Sequence, residues 1–346
     1  MRLLSGFASA SSTQPHVHSF HDAIHDETWF LGFCVIACAA LNICACLASR
    51  RRQSGRTFEA LSGVTVGLVA LACLVFRATY FPRQVVVTCL MLAWGTRLSL
   101  FLYVRNLESP MSNDVVTART LWAVTCAAPC VLINALQHDK VAFGVGELVG
   151  ILTACVALLI ETLADAQKLS WHRHHAAAGR PAKDSTLPPV CARGLWSMSR
   201  HPNLFGELMF HAGVYGVCAP ALPPWVAVFP ALLALQIVFL HGGVVNQEQQ
   251  RSFLFRFYPS YINYRGSTSP LVPIPTTLWG AMPDAMKRVV FLELPLYDQA
   301  DKELMAEVDA MRRGMRATPT VPEDPEQEHA ARAAASDEPN AVDRTL

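Results

Sequence analysis

Cys191-Ala192-Arg193-Gly194-Leu195-Trp196-Ser197-Met198-Ser199-Arg200-His201-Pro202-Asn203-Leu204-Phe205-Gly206-Glu207-Leu208-Met209-Phe210-His211 is polar and basic at its front and apolar at its back. Pro202 lacks an amide hydrogen and has a fixed φ, which suits the first turn of a helix and not its middle. A helix begun there carries Asn203, Glu207 and His211 on one face, four residues apart. A carboxylate one turn inside a membrane is costly without a partner or a wet cavity. Arg200, His201 and the free N–H groups of the first turn offer an anion site beside that carboxylate. The stretch asks for a charged, phosphate-bearing ligand at a membrane surface.

The rest of the 346 residues supports a membrane setting. Hydrophobic residues make up 52% and charged ones only 16%, and the apolar residues fall in long blocks that match a bilayer core. The net charge of +1 gives no support for nucleic acid as a partner. Seven spans are expected, over about 28–48, 58–76, 84–104, 120–136, 141–163, 202–218 and 225–245, giving an all-α polytopic bundle. Arg50, Arg51, Arg52, Arg56, Arg105, Arg119, Lys168, Arg193 and Arg200 fall on one side, against Arg77, Arg83 and Lys140 on the other. That bias predicts a lumenal N-terminus and a cytosolic C-terminus. Residues 1–27 read as a polar lead, 28–275 as the membrane domain and 276–316 as an interfacial and amphipathic segment. Residues 317–346, rich in Pro, Ala and Glu, read as a disordered tail.

Several groups of residues can carry chemistry. Glu161, Asp165, Lys168 and His172 follow one another at helical steps and form a polar stripe entering the membrane. Arg97, in Trp94-Gly95-Thr96-Arg97-Leu98, either snorkels to the head groups or pairs with Glu207, Glu161 or a phosphate. Tyr261 and Tyr264 follow the last span, as interface anchors or as groups that stack on a flat ring or donate to a carbonyl. Gly144-Val145-Gly146-Glu147-Leu148-Val149-Gly150 looks like a dinucleotide fingerprint but has one residue too many and no βαβ context, so close helix packing explains it. The histidines His21, His25, His172, His174 and His175 are split across the membrane by this topology, and no metal site is expected. The cysteines lie mostly within apolar runs without CxxC spacing, as packing residues.

Four blocks in order resemble the steroid 5-alpha-reductase-like family, in the broad branch that shares the C-terminal reductase domain. They are Trp94 to Leu98, Glu161 to Lys168, Gly194 to Glu207, and Tyr261 to Thr268. The resemblance implies NADPH held between the last spans, with Asp165, Asn203 and Glu207 on the cofactor. Arg97, Lys168, Arg200 and His201 would lie near its phosphates. Tyr261 and Tyr264 would close the site, the catalytic group being Glu207 with one of these tyrosines. The implied reaction reduces a carbon–carbon double bond of an enone lipid or steroid-like substrate, in the endoplasmic reticulum membrane. Trp94 stands where the family's carbonyl-polarising Tyr is expected, and Leu204 replaces an aromatic. Two other readings compete: a membrane methyltransferase using S-adenosylmethionine, resembling isoprenylcysteine carboxyl methyltransferases, and a non-catalytic scaffold. Neither the lipid nor the oligomeric state is legible.

Overall fold

A computed structural model describes residues 28–51, 55–105, 112–136, 141–178, 189–240 and 242–298. The polar lead, His21 and His25, the expected amphipathic helix at Asp301–Met315 and the expected disordered tail lie outside them. The described residues are helical, joined by turns, with one isolated bridge between Ser199 and Ser269 and no strand. The long helices are α1 (Thr28–Arg51), α2 (Gly55–Arg77), α3 (Pro82–Arg105), α4 (Asn113–Ala135) and α5 (Val145–Ala178). They are followed by α6 (Pro202–Cys218), α7 (Val228–Phe239), α8 (Val244–Phe255) and α9 (Pro259–Ser267). Two short helices, α10 (Thr276–Ala281) and α11 (Asp284–Val289), precede the C-terminal turn.

Among the described residues six stretches, not seven, are long and apolar enough to cross a bilayer: Cys34–Arg51, Thr57–Arg77, Pro82–Arg105, Asn113–Ala135, Val145–His175 and Pro224–Phe255. The expected span at Pro202 does form a helix, but its 17 residues reach only about 26 Å, short of the hydrocarbon thickness. The last stretch is also broken. Gly242 adopts a φ of +82°, a left-handed conformation that favours glycine, and splits the apolar run into α7 and α8.

The exterior shows what solvent the fold is made for. On α5, Leu148, Leu152, Leu159 and Leu163 are exposed, whereas Glu147, Ala154, Ala157, Glu161 and Asp165 on the opposite face are buried. This pattern inverts that of a water-soluble helix and suits a lipid surround. The protein is a polytopic helical membrane bundle, as the apolar blocks predict.

Small residues bring α5 and α6 together. A Cβ on Gly150 would lie 2.8 Å from the Gly213 carbonyl oxygen, so the glycine-rich run serves close packing. A Cβ on Gly206 would lie 2.8 Å from the Cβ of Glu161, so that glycine sets the distance between the two polar stripes. The Trp279–Tyr297 segment is not simply laid on a surface: Trp279 and Tyr297 are fully buried in protein.

Candidate functional site

The stripes of α5 and α6 meet over a cavity of about 150 Å³. Glu161 and Asp165 reach it from α5, Asn203 and Glu207 from α6, and Trp122 from α4. Arg97 reaches across from α3. Its Nη1 lies 2.6 Å from Glu161 Oε1, and its Nη2 donates to Asp165. Trp94 Nε1 donates to the second Glu161 oxygen at 3.1 Å. Trp122 Nε1 donates to Glu207 Oε1 at 2.6 Å. The helical spacing read from Pro202 onward thus does place Asn203 and Glu207 beside Asp165.

Two buried acceptors of this wall are left without a partner, Asp165 Oδ1 and Gln236 Oε1. A buried acceptor with no donor costs about 1–3 kcal/mol. Both are therefore places where a ligand N–H would be welcomed. The interior carries Glu161, Asp165 and Glu207 against one guanidinium, that of Arg97, while Arg105 and Arg119 line the same cavity toward the ends of α3 and α4.

A groove of about 350 Å³ lies on the neighbouring faces of α5 and α8. Lys168, three residues beyond Asp165, and Arg251, four beyond Gln247, line it with Trp171, Trp196, Phe255 and Tyr264. Among the described residues no carboxylate lines it. The Lys168 ammonium sits 4.8 Å from the Trp196 ring centre, and Trp171 stacks on His175 at 4.2 Å. Cations framed by aromatic walls suit a flat ring carrying phosphate. The turn Gly194–Ser197 is docked here: Leu195 N–H donates to Gln167 Oε1 at 3.0 Å, and Trp196 Nε1 to the Ala164 carbonyl at 2.8 Å.

Other expected site residues are placed elsewhere. Arg200 and His201 do not form an open anion site. Arg200 Nη1 lies 2.5 Å from Glu248, its Nη2 donates to Glu293, and the side chain is 1% exposed. His201 Nε2 bonds Glu248 Oε1 at 2.8 Å. Burial pushes the His201 imidazole down to about 4, Arg251 adding to the effect, so it is neutral at pH 7. The reason for the correction is that α8 and the 292–297 segment bring their own carboxylates to both side chains.

The tyrosines are not at the acidic cavity either. Tyr264 donates its hydroxyl to the Trp196 carbonyl at 2.7 Å, in the wall of the groove. Tyr261 is buried against Phe255, its hydroxyl is unpartnered, and burial pushes it up to about 12. Trp122, Gln236, Arg105 and Arg119 join the site without having been read as site residues. Gln236 had a signal, as the lone amide in the apolar run Val228–Phe239. Among the described residues no cluster of His, Cys, Asp and Glu has the makings of a metal site.

Fold and site together define a polytopic helical membrane protein with a polar cavity between packed helices. The chain belongs to the DUF1295 family of proteins of unknown function, which matches over residues 45–116 and 113–268. These segments contain every residue that lines the acidic cavity. No curated protein and no solved structure matches the chain.

Proposed function

We propose that the protein is an NADPH-dependent reductase of a carbon–carbon double bond in an enone lipid. The carrying observation is the convergence of Asp165, Asn203 and Glu207 on one cavity, next to a separate groove that Lys168 and Arg251 line and where no acid is found among the described residues. The four blocks that resemble steroid 5-alpha-reductase-like proteins contain Asp165, Lys168, Asn203 and Glu207, whereas Arg251 lies outside them.

An apolar cavity of about 150 Å³ holds a benzene-sized ring. The acidic cavity thus has room for a nicotinamide, not for a whole dinucleotide. The unpartnered acceptors of Asp165 and Gln236 suit the carboxamide N–H groups. Phosphates and adenine go to the groove, where Lys168 and Arg251 carry the charge and Trp171 offers a ring face. NADPH supplies the hydride when bound. Glu207 is held by Trp122, and Asn203 sits one turn before it, so the pair fixes which ring face is turned toward the lipid. Arg97 bridges Glu161 and Asp165 and so ties α3 to the polar stripe of α5 at the cavity floor. The carboxyls lining the cavity are Glu161, Asp165 and Glu207. Glu207 is the stronger proton donor candidate because Arg97 contacts only Glu161 and Asp165.

The test is NADPH binding and oxidation by the purified protein with enone lipids. Glu207→Gln at unchanged protein level is expected to lower turnover at least about 100-fold, the size of one lost preorganised polar contact. Wild-type protein that binds no NADPH removes the proposal.

The floor of the cavity favours a second reading. Glu161, Asp165 and Glu207 gather there with Arg97, apart from Arg105 and Arg119 at the mouth, and such a local cluster of carboxyls also suits a sulfonium, and therefore a methyltransferase using S-adenosylmethionine. Saturable S-adenosylmethionine binding that NADPH fails to displace selects that reading over the first.

A further inference from the structure

The mouth of the acidic cavity has a chemistry opposite to its floor. Arg105 ends α3 and Arg119 sits near the start of α4. Both line the cavity, with side chains 23% and 33% exposed. Glu59 of α2 lies behind them, 3.0 Å from Arg105 Nη2 and 3.7 Å from Arg119 Nη2. One carboxylate therefore bridges two guanidiniums, and the rim keeps a positive surplus. The Nε of Arg105 has no partner. Each guanidinium carries five N–H donors, more than its contact with Glu59 uses, and a guanidinium fork suits the paired oxygens of a carboxylate or phosphate.

Two further features tie this rim to a lipid. Leu98, Leu102 and Ile237 make the wall below it apolar. The rim also lies at the ends of two candidate membrane spans, Pro82–Arg105 and Asn113–Ala135, which is head-group depth for a spanning helix. An amphiphile seated here would put its charge on the arginines and its chain along the leucines. A link to the floor also exists: the Arg119 guanidinium lies 5.5 Å from the Trp122 ring centre, and Trp122 holds Glu207.

We propose that Arg105 and Arg119 form a receptor for the anionic head of the lipid, and that the substrate is a long-chain phosphate or carboxylate rather than a neutral sterol. This rests on reading the acidic cavity as the reaction site. Phosphate is also carried by the cofactor, so the test must separate the two sources.

The full chain in a neutral detergent is titrated with dodecyl phosphate, laurate and dodecanol, and separately with NADPH. Wild-type protein is expected to bind dodecyl phosphate at least about tenfold more tightly than dodecanol. Arg105→Gln and Arg119→Gln should each remove most of that advantage and shift the NADPH Kd by less than about twofold, since one charge-assisted contact is worth about a factor of ten. Arg119→Lys, which keeps the charge and loses the fork, should retain part of it. Equal affinity of the wild type for dodecyl phosphate and dodecanol overturns the proposal without any variant. Weaker NADPH binding in both glutamine variants, with dodecyl phosphate displacing NADPH, gives the rim to the cofactor and overturns it too. Tight dodecyl phosphate binding through the arginines, in a protein that binds no NADPH, leaves the head-group receptor standing and removes only the reductase reading.

Discussion

Helices α3 and α5 carry two arginine–glutamate pairs, and they differ in what surrounds them. Arg83 meets Glu147 at 2.6 Å, and Arg97 meets Glu161 at the same distance. The second pair lies 14 residues further along both helices, about 21 Å, close to four helical turns. The two pairs are therefore rungs on one face of two helices running the same way. At the first rung every main group has a partner within the protein. Arg83 Nε donates to the Val217 carbonyl at 3.0 Å, Gly144 N–H donates to Glu147 Oε2 at 2.9 Å, and the side chains are 0% and 3% exposed. At the second rung Arg97 is 15% exposed and must serve Asp165 as well, and Asp165 keeps one oxygen unpartnered. A closed pair locks helices together. An open pair with an unpartnered oxygen leaves an acceptor for a ligand to use.

That contrast breaks most visibly at the closed rung. Arg83→Met should leave Glu147 charged and uncompensated in the core, costing about 3–5 kcal/mol. A large fall in the thermal midpoint of the detergent-solubilised protein is the readout. Adding Glu147→Leu to that variant should recover most of the loss, because an apolar pair of similar volume needs no desolvation. No recovery would mean that the pair does more than join α3 to α5.

The open rung should respond in the other currency. Arg97→Lys keeps a cation but cannot reach Glu161 and Asp165 together. We expect turnover, or NADPH affinity, to fall about 10- to 100-fold, while the thermal midpoint moves much less than in Arg83→Met. A midpoint loss as large as at Arg83 would make both rungs structural and dissolve the comparison.

The His201 cluster is as closed as the first rung, its pair with Glu248 being 1% and 0% exposed, and its signature is pH. Burial depresses the His201 pKa from the ordinary 6.5 to about 4, so the unfolded chain takes up a proton that the fold refuses. This stabilisation is in full effect above pH 6.5 and is lost as the pH falls toward 4. The contribution to the slope is at most about 1.4 kcal/mol per pH unit. His201→Gln should flatten the dependence of the thermal midpoint over that window, and an unchanged profile would show that another group carries it.

The parts of the site that were legible in the chain are those built within one helix. Asn203 and Glu207 follow from Pro202 and a four-residue step, and Glu161 and Asp165 from the same step on α5. Arg97 was legible as a cation at membrane depth in need of an acid. What could not be read was the work of elements distant in the chain. Arg200 and His201 look like a free anion site until α8 brings Glu248 and the 292–297 segment brings Glu293, 93 residues from Arg200. Tyr264 looks like a proton donor until the Gly194–Ser197 turn puts the Trp196 carbonyl in its way. The fold was read by the same rule. Apolar length predicts crossing helices, but it passes over the Gly242 break, which depends on one left-handed residue.

Trp94 offers the finest test, because it stands at the open rung, where the resemblance to steroid 5-alpha-reductase-like proteins implies a tyrosine. Its indole is fully buried, stacks on Phe210 at 5.5 Å, and spends its one N–H on Glu161. With its only donor occupied, it has nothing left to polarise a substrate carbonyl. Trp94→Phe removes that bond and little of the packing, so the expected cost is about 1 kcal/mol in stability and a few-fold in turnover. Trp94→Tyr leaves a hydroxyl in the same place. If Trp94 only positions Glu161, the tyrosine variant should be no more active than the phenylalanine one. If it outruns the wild type on an enone lipid, the hydroxyl has found a carbonyl to polarise, and the open rung already has the geometry for carbonyl activation while lacking only the donor.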